Sequence, residues 1–196
     1  MDDTVQLAVS LLNKAGVRLE SGLSEAELGR IENRFGFTFC AVHRRLLASV
    51  LPAGSVTGPN DLWPDWRSGS DDELRARLTW PIDGVVFDVV NNGFWANSWG
   101  PRPAQAARAE ASARERLRAV PQMVPIYGHR YLPAEPAPED PAVFSIYQTD
   151  VIYYGENLAD YVAREFHLPR RPAPVTADRR TPFWSDLAEG AGPTAA

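Results

Sequence analysis

Cysteine is almost absent from this chain: Cys40 is the only one in 196 residues. A single cysteine forms no intrachain disulfide and no multi-cysteine zinc site. Such scarcity points to a reducing compartment. Lysine is equally scarce, for Lys14 stands alone and every other cation is arginine. A Schiff-base lysine would have to be Lys14, and no lysine sits where a phosphate-cradling Walker loop needs one. The glycine fingerprint of dinucleotide sites, the G-x-S-x-G nucleophile elbow and H-E-x-x-H are missing as well. No stretch approaches the roughly 18 apolar residues of a membrane span. The opening Met1-Asp2-Asp3 is acidic where a secretory leader would be basic. Together these absences predict a cytoplasmic protein that crosses no membrane.

What is present suits one domain of ordinary size with a tail. Hydrophobic residues make up 44% and charged residues 23%, enough to bury a core without staples. The formal charge is −5. An acidic balance disfavours nucleic acid and anionic membranes, which reward positive charge, and suits a basic partner.

Residues 2–15 predict a first helix, with Val5, Ala8, Val9 and Leu12 on one face and Gly16 as the stop. Ser24 followed by Glu27 is a capping box, with Leu23 and Leu28 placed as its hydrophobic staple. That helix carries Ile31 and Phe35 and ends at Gly36; a third is expected over 41–50. Residues 52–70 read as ordered loop, and Asp71 or Asp72 as the cap of a short helix ending at Leu78. The run Val85-Val86-Phe87-Asp88-Val89-Val90 predicts a strand, Asn92-Gly93 a hairpin turn, and 94–99 the returning strand. An alanine- and arginine-rich helix is expected over 104–119. Strands follow over 123–127, 143–148 and 151–154, then a last helix capped by Asn157. The expected fold is therefore α+β: a single, mostly antiparallel sheet with N-terminal helices and a C-terminal helix packed around it. The domain would span 1–167, and 168–196 would be a Pro-, Arg- and Ala-rich flexible tail. Within that tail Phe183-Trp184 and Leu187 are expected to dock back, since exposed they would invite aggregation.

Several segments together resemble one family. Leu23-Ser24-Glu25-Ala26-Glu27-Leu28 through Ile31 to Phe35-Gly36 is similar to the opening helix of the SUKH superfamily, the domains related to yeast cell-wall assembly regulators and bacterial toxin-immunity proteins. Phe39-Cys40-Ala41-Val42-His43-Arg44-Arg45-Leu46-Leu47 occupies the place of that family's Leu-Pro and following Tyr-Arg helix, with Cys40 where proline is usual and His43 where an aromatic is usual. Phe87-Asp88-Val89, Phe94-Trp95, Trp99-Gly100, the segment Pro125 to Pro133 and the segment Val143 to Asp150 are similar to an actinobacterial branch. The likeness spans about residues 20–167 and rests on the order of segments, not on one motif. It implies an α+β fold and a non-catalytic, protein-binding role. Many bacterial members neutralise a toxin encoded beside them, often a nuclease or deaminase. No shared catalytic set exists to carry over.

Two readings stand for the tryptophans. Trp63, Trp66, Trp80, Trp95 and Trp99 lie close together in the chain. They are either packing residues or, with Arg67, anchors for a partner. The second reading gives a candidate contact set of Trp63, Asp65, Trp66, Arg67, Asp88 and Trp95. Asp65, Asp83 and Asp88 with Glu25, Glu27 and Glu32 would form an acidic face that steers a basic nuclease or deaminase toxin. No catalytic residue, metal site or cofactor is expected. His43, His129 and His167 lack the short spacings of metal ligands. His43 reads as a solvated or boundary residue, and Cys40 as an inert buried hydrophobe. His129 with Asp150 is the one pair from which a hydrolase could be built. A scaffold module with no toxin partner is the other alternative. The sequence leaves the oligomeric state open.

Overall fold

The structure, a computed structural model, describes residues 3–55, 62–169 and 179–190. Helix α1 (Asp3–Lys14) leads into strand β1 (Val17–Ser21), then α2 (Glu25–Phe35), α3 (Ala41–Ser49), β2 (Val50–Ser55) and α4 (Asp71–Asn91). Helix α5 (Ala106–Leu117) precedes four strands: β3 (Met123–Tyr127), β4 (Arg130–Pro133), β5 (Val143–Tyr147) and β6 (Asp150–Gly155). Helices α6 (Leu158–Glu165) and α7 (Trp184–Ala188) complete the described fold. This is the α+β class read from the sequence.

The single sheet needs correction. Strands β3-β4-β5-β6 form an antiparallel meander, but β1 and β2 pair in a separate two-stranded ribbon. Strand β2 takes the front of the stretch expected to be loop. It runs straight on from α3, and Glu20 opposite Leu51 fixes its register on β1. Residues 56–61 of that loop lie outside the described residues, and 62–70 form an irregular turn.

The larger correction is α4. The expected short helix and β-hairpin are one helix of 21 residues. Its cap is Ser70, whose Oγ accepts from the Glu73 N–H at 3.2 Å, rather than Asp71 or Asp72. Leu74, Leu78, Pro81, Val85 and Val89 are all buried, a helical stripe spaced four, three, four and four. Pro81 sits inside the helix, where it can offer no N–H to the Arg77 carbonyl. The Tyr131 hydroxyl donates to that carbonyl at 3.3 Å instead, so the gap is filled from the sheet. Asn92-Gly93 ends the helix rather than turning a hairpin. Gly93 has φ +73°, and the N–H groups of Asn92 and Phe94 both donate to the Asp88 carbonyl. Residues 97–99 make one 3₁₀ turn and no returning strand.

Both faces of the meander are covered. Phe144, Ile146 and Val151 pack with Val85 and Val89 of α4, Ala109 and Ala113 of α5 and Trp184 of α7. Ile126, Leu132 and Val143 pack with Val5, Ala8 and Leu12 of α1 and Leu158 and Tyr161 of α6. A third cluster at the β3 side gathers Leu28, Ile31, Phe37, Phe39, Trp66 and Val124. Successive strand residues thus serve opposite layers.

Local signals hold where they were sharpest. The Glu27 N–H donates to Ser24 Oγ and the Ser24 N–H donates to Glu27 Oε2, closing the capping box. Leu23 and Leu28 are both buried in the third cluster. Gly36 ends α2 at φ +75°. The aromatic pair of the tail docks as aggregation avoidance demands: Trp184 is fully buried, its indole N–H donates to the Pro121 carbonyl at 2.8 Å, and Phe183 stacks on Trp99 at 6.0 Å. Arg179 fastens the same segment by donating to the Glu156 carbonyl at 2.6 Å.

Candidate functional site

The turn carrying Trp63 to Arg67 was the first candidate. Its tryptophans face inward, while Asp65 and Arg67 stay exposed. Trp66 is buried edge-on to Phe39 at 5.3 Å, and Trp63 is buried against Tyr127 at 4.7 Å and Phe166 at 6.3 Å. Asp65 Oδ1 accepts from the N–H groups of Arg67 and Ser68 and so shapes the turn. Arg67 reaches back to donate to Glu27 Oε1 at 2.9 Å and to the Ser21 and Gly22 carbonyls at 3.0 Å. The turn is a strap that ties α2 and β1 together.

The remaining two members of the set are structural as well. Trp95 is buried, its indole N–H donating to the Gly100 carbonyl at 2.7 Å. Asp88 is buried on the inner side of α4. Its carboxylate accepts from Thr149 N–H at 2.9 Å, Thr149 Oγ1 at 2.6 Å and Asn92 Nδ2 at 2.5 Å. It pins the β5–β6 turn to the helix. The six residues therefore do not converge on one surface.

The expected acidic face is largely neutralised. Arg44 makes a two-pronged bond to Glu25, at 3.0 and 2.8 Å, and also meets Glu32 at 3.4 Å. Arg44 and Glu25 stabilise each other's charge, lowering the Glu25 pKa and raising that of Arg44. Glu27 falls to about 2, held first by the Ser24 N–H and then by Arg67. Asp83 meets Arg114 at 3.6 Å, so four of the six acids of that face are already paired with arginine.

The catalytic candidates sit in different turns of the meander. His129 lies exposed in the β3–β4 turn and Asp150 exposed at the start of β6. Burial of part of the ring and the nearby Arg130 lower the His129 pKa, and Glu165 opposes them. No hydrogen bond joins His129 to Asp150 among the described residues. Cys40 is fully buried, and burial drives its thiol up to about 12, far from a nucleophile's range. It precedes α3 without capping it. The Ala41 N–H donates instead to Glu135 Oε1 at 3.0 Å, a cap delivered from beyond β4. Among the described residues no three His, Cys, Asp or Glu side chains are grouped to hold a metal ion.

His43 overturns its expected place. It is 1% exposed, with its ring 5.0 Å from that of Phe39. Burial alone drives its pKa to about 3, so the imidazole is neutral. One residue past Val42 on α3, it shares the inward face because the hydrophobic layer wraps both sides of that short helix.

Among the described residues the large exposed hydrophobic side chains lie on α4 and on β5 and β6. Trp80 is 50% exposed and Phe87 49%, two helical turns apart on one stripe, with Val90 beyond them. Between them Gly84 packs on the β5–β6 turn, where a Cβ would come within 2.9 Å of Gln148 Cα. That turn is flanked by exposed Tyr147, and Ile152 is exposed on the next strand. Asp72, Asp83 and Asp150 are exposed around the same area. Phe87 was missed because it was assigned to a strand. The seven-residue spacing from Trp80, after a Ser70-x-x-Glu73 start, was the available signal.

No family model matches this chain, and neither a curated protein nor a solved structure matches it. Its geometry must speak for itself. Among the described residues no helix is long and apolar enough to cross a membrane.

Proposed function

We propose that this chain acts by binding another protein, as an immunity-type domain that occludes a basic toxin of the nuclease or deaminase kind. One observation carries the reading. Trp80 and Phe87 are held half in water on a rigid helix whose inner side is packed and ion-anchored. Large aromatics displayed on a fixed element are what interface hot spots are made of. Exposed Asp72 and Asp150 suit a basic partner, while Asp83 is paired with Arg114 at 3.6 Å. The resemblance to SUKH domains supplies the immunity role, and no hydrogen bond joins His129 to Asp150 among the described residues.

The experiment is direct. Partners are captured from native lysate at low salt, released by salt, and purified. The expected outcome is a basic protein whose toxic activity is suppressed by one equivalent of the wild-type chain and far less by the Trp80→Ala, Phe87→Ala double variant. A captured partner that keeps full activity at saturating wild-type chain overturns the immunity reading. Equal binding by wild type and double variant overturns the assignment of the face.

A further inference from the structure

Beneath the 62–68 turn lies a cavity of about 10 Å³, bounded by His43, Leu46, Leu51, Trp63, Trp66 and Ile126 among others. Two of its residues carry a buried ring nitrogen that meets no protein partner: Nδ1 of His43 and Nε1 of Trp63. Both residues are more than nine-tenths buried, at 1% and 6% exposure. An indole N–H buried without an acceptor forfeits its hydration. Two residues with such groups line one small void whose other lining side chains are apolar or aromatic.

We propose that this cavity is a binding site for one water molecule, which accepts from Trp63 Nε1–H and bonds His43 Nδ1. The volume sets the ligand class. A site of roughly 10–15 Å³ holds one water and nothing larger, and a buried water needs at least two polar partners. The wider crevice above is the rival site. It measures about 220 Å³ and shares Leu51, Pro52, Trp63 and Pro64 with the cavity. Its polar rim is already satisfied. Arg67 is bound to Glu27, Ser21 and Gly22, Arg18 donates to the Ala53 carbonyl at 2.6 Å, and Asp65 holds its own turn. The demand lies below the crevice, not in it. The water is a structural ligand that ties α3 to the strap formed by the 62–68 turn, and it lies beyond the α4 face argued above.

Two measurements on the full chain test this without any substitution. A crystal structure at about 1.5 Å is expected to show a density peak within hydrogen-bond range, about 2.7–3.2 Å, of both nitrogens. A water-selective cross-relaxation spectrum is expected to show direct transfer from water to the Trp63 indole proton. Trp63→Phe serves only to assign that proton. A dry cavity in the crystal overturns the site. So does a scalar coupling across a direct indole-to-imidazole bond, which would show that the two rings satisfy each other.

Discussion

Two aromatic regions of this molecule carry opposite fates. The turn at 62–68 has the composition of a binding loop, with Trp63, Asp65, Trp66 and Arg67 in a row, yet it is turned inward and strapped to α2 and β1. The outer face of α4 reads in the sequence as the end of a short helix and the first strand of a hairpin, yet it presents Trp80 and Phe87 to water. The difference lies in what each backbone can satisfy by itself. An irregular turn must borrow partners, so its side chains are drawn into the body to cap carbonyls and fill gaps. A long helix closes its own hydrogen bonds and needs only one buried stripe. Its other face is left to carry whatever residues a partner requires.

The strongest way to break this comparison is Trp66→Ala. Loss of a buried tryptophan from the third cluster is expected to cost about 3–5 kcal/mol, read as a fall in the urea midpoint. Acid probes the same region next. Neutral His43, with a native pKa of about 3, takes up in the unfolded chain a proton that the fold refuses. Its contribution is whole above pH 6.5 and is lost as pH falls towards 3, by roughly 1.4 kcal/mol per pH unit. His43→Phe is expected to flatten that part of a stability-against-pH profile. On the α4 side, Gly84→Ala gains helix propensity but drives a Cβ into Gln148. A net loss of about 1–3 kcal/mol is expected, measured as a lower Tm. The smallest stability effect belongs to Trp80→Ala, about 1 kcal/mol, with a fall of about 30-fold or more in affinity for the captured partner by calorimetry. If Trp80→Ala destabilises the fold as much as Trp66→Ala, the contrast between the two regions is gone.

Much of the fold was legible where one local interaction decides an element. Ser24 and Glu27 start α2 through their own side chains, Gly36 stops it by its left-handed backbone, and Asn157 caps α6 by accepting from the Asp160 N–H at 2.9 Å. Glu110 and Arg114 pair along α5 at 3.0 Å as their spacing foretold. The reading failed where tertiary contacts outweigh local preference. The β-branched run 85–90 and Asn92-Gly93 favour a hairpin locally. The helical stripe from Leu74 to Val89 runs unbroken across Pro81 only because Tyr131 supplies the bond that the proline cannot. Strand β4 is four residues long and β1 has few apolar positions, so neither stood out from its flanks. The candidate site fared worst for the same reason. Asp88 and Arg67 look like free charges in the chain, and only the fold reveals Thr149 and Glu27 as their partners. The burial of His43 likewise depends on Phe39 and the 62–68 turn, which sequence distance hides.

The exposure of Trp80 has an optical consequence. All six tryptophans lie among the described residues, and Trp63, Trp66, Trp95, Trp99 and Trp184 are buried while Trp80 stands half in water. The native emission is therefore a blue, quencher-resistant band with one red-shifted component. Iodide in solution reaches that component and leaves the rest untouched. A partner covering α4, as proposed, would strip the red edge from the spectrum and shield it from iodide, so the chain would carry its own dye for that contact.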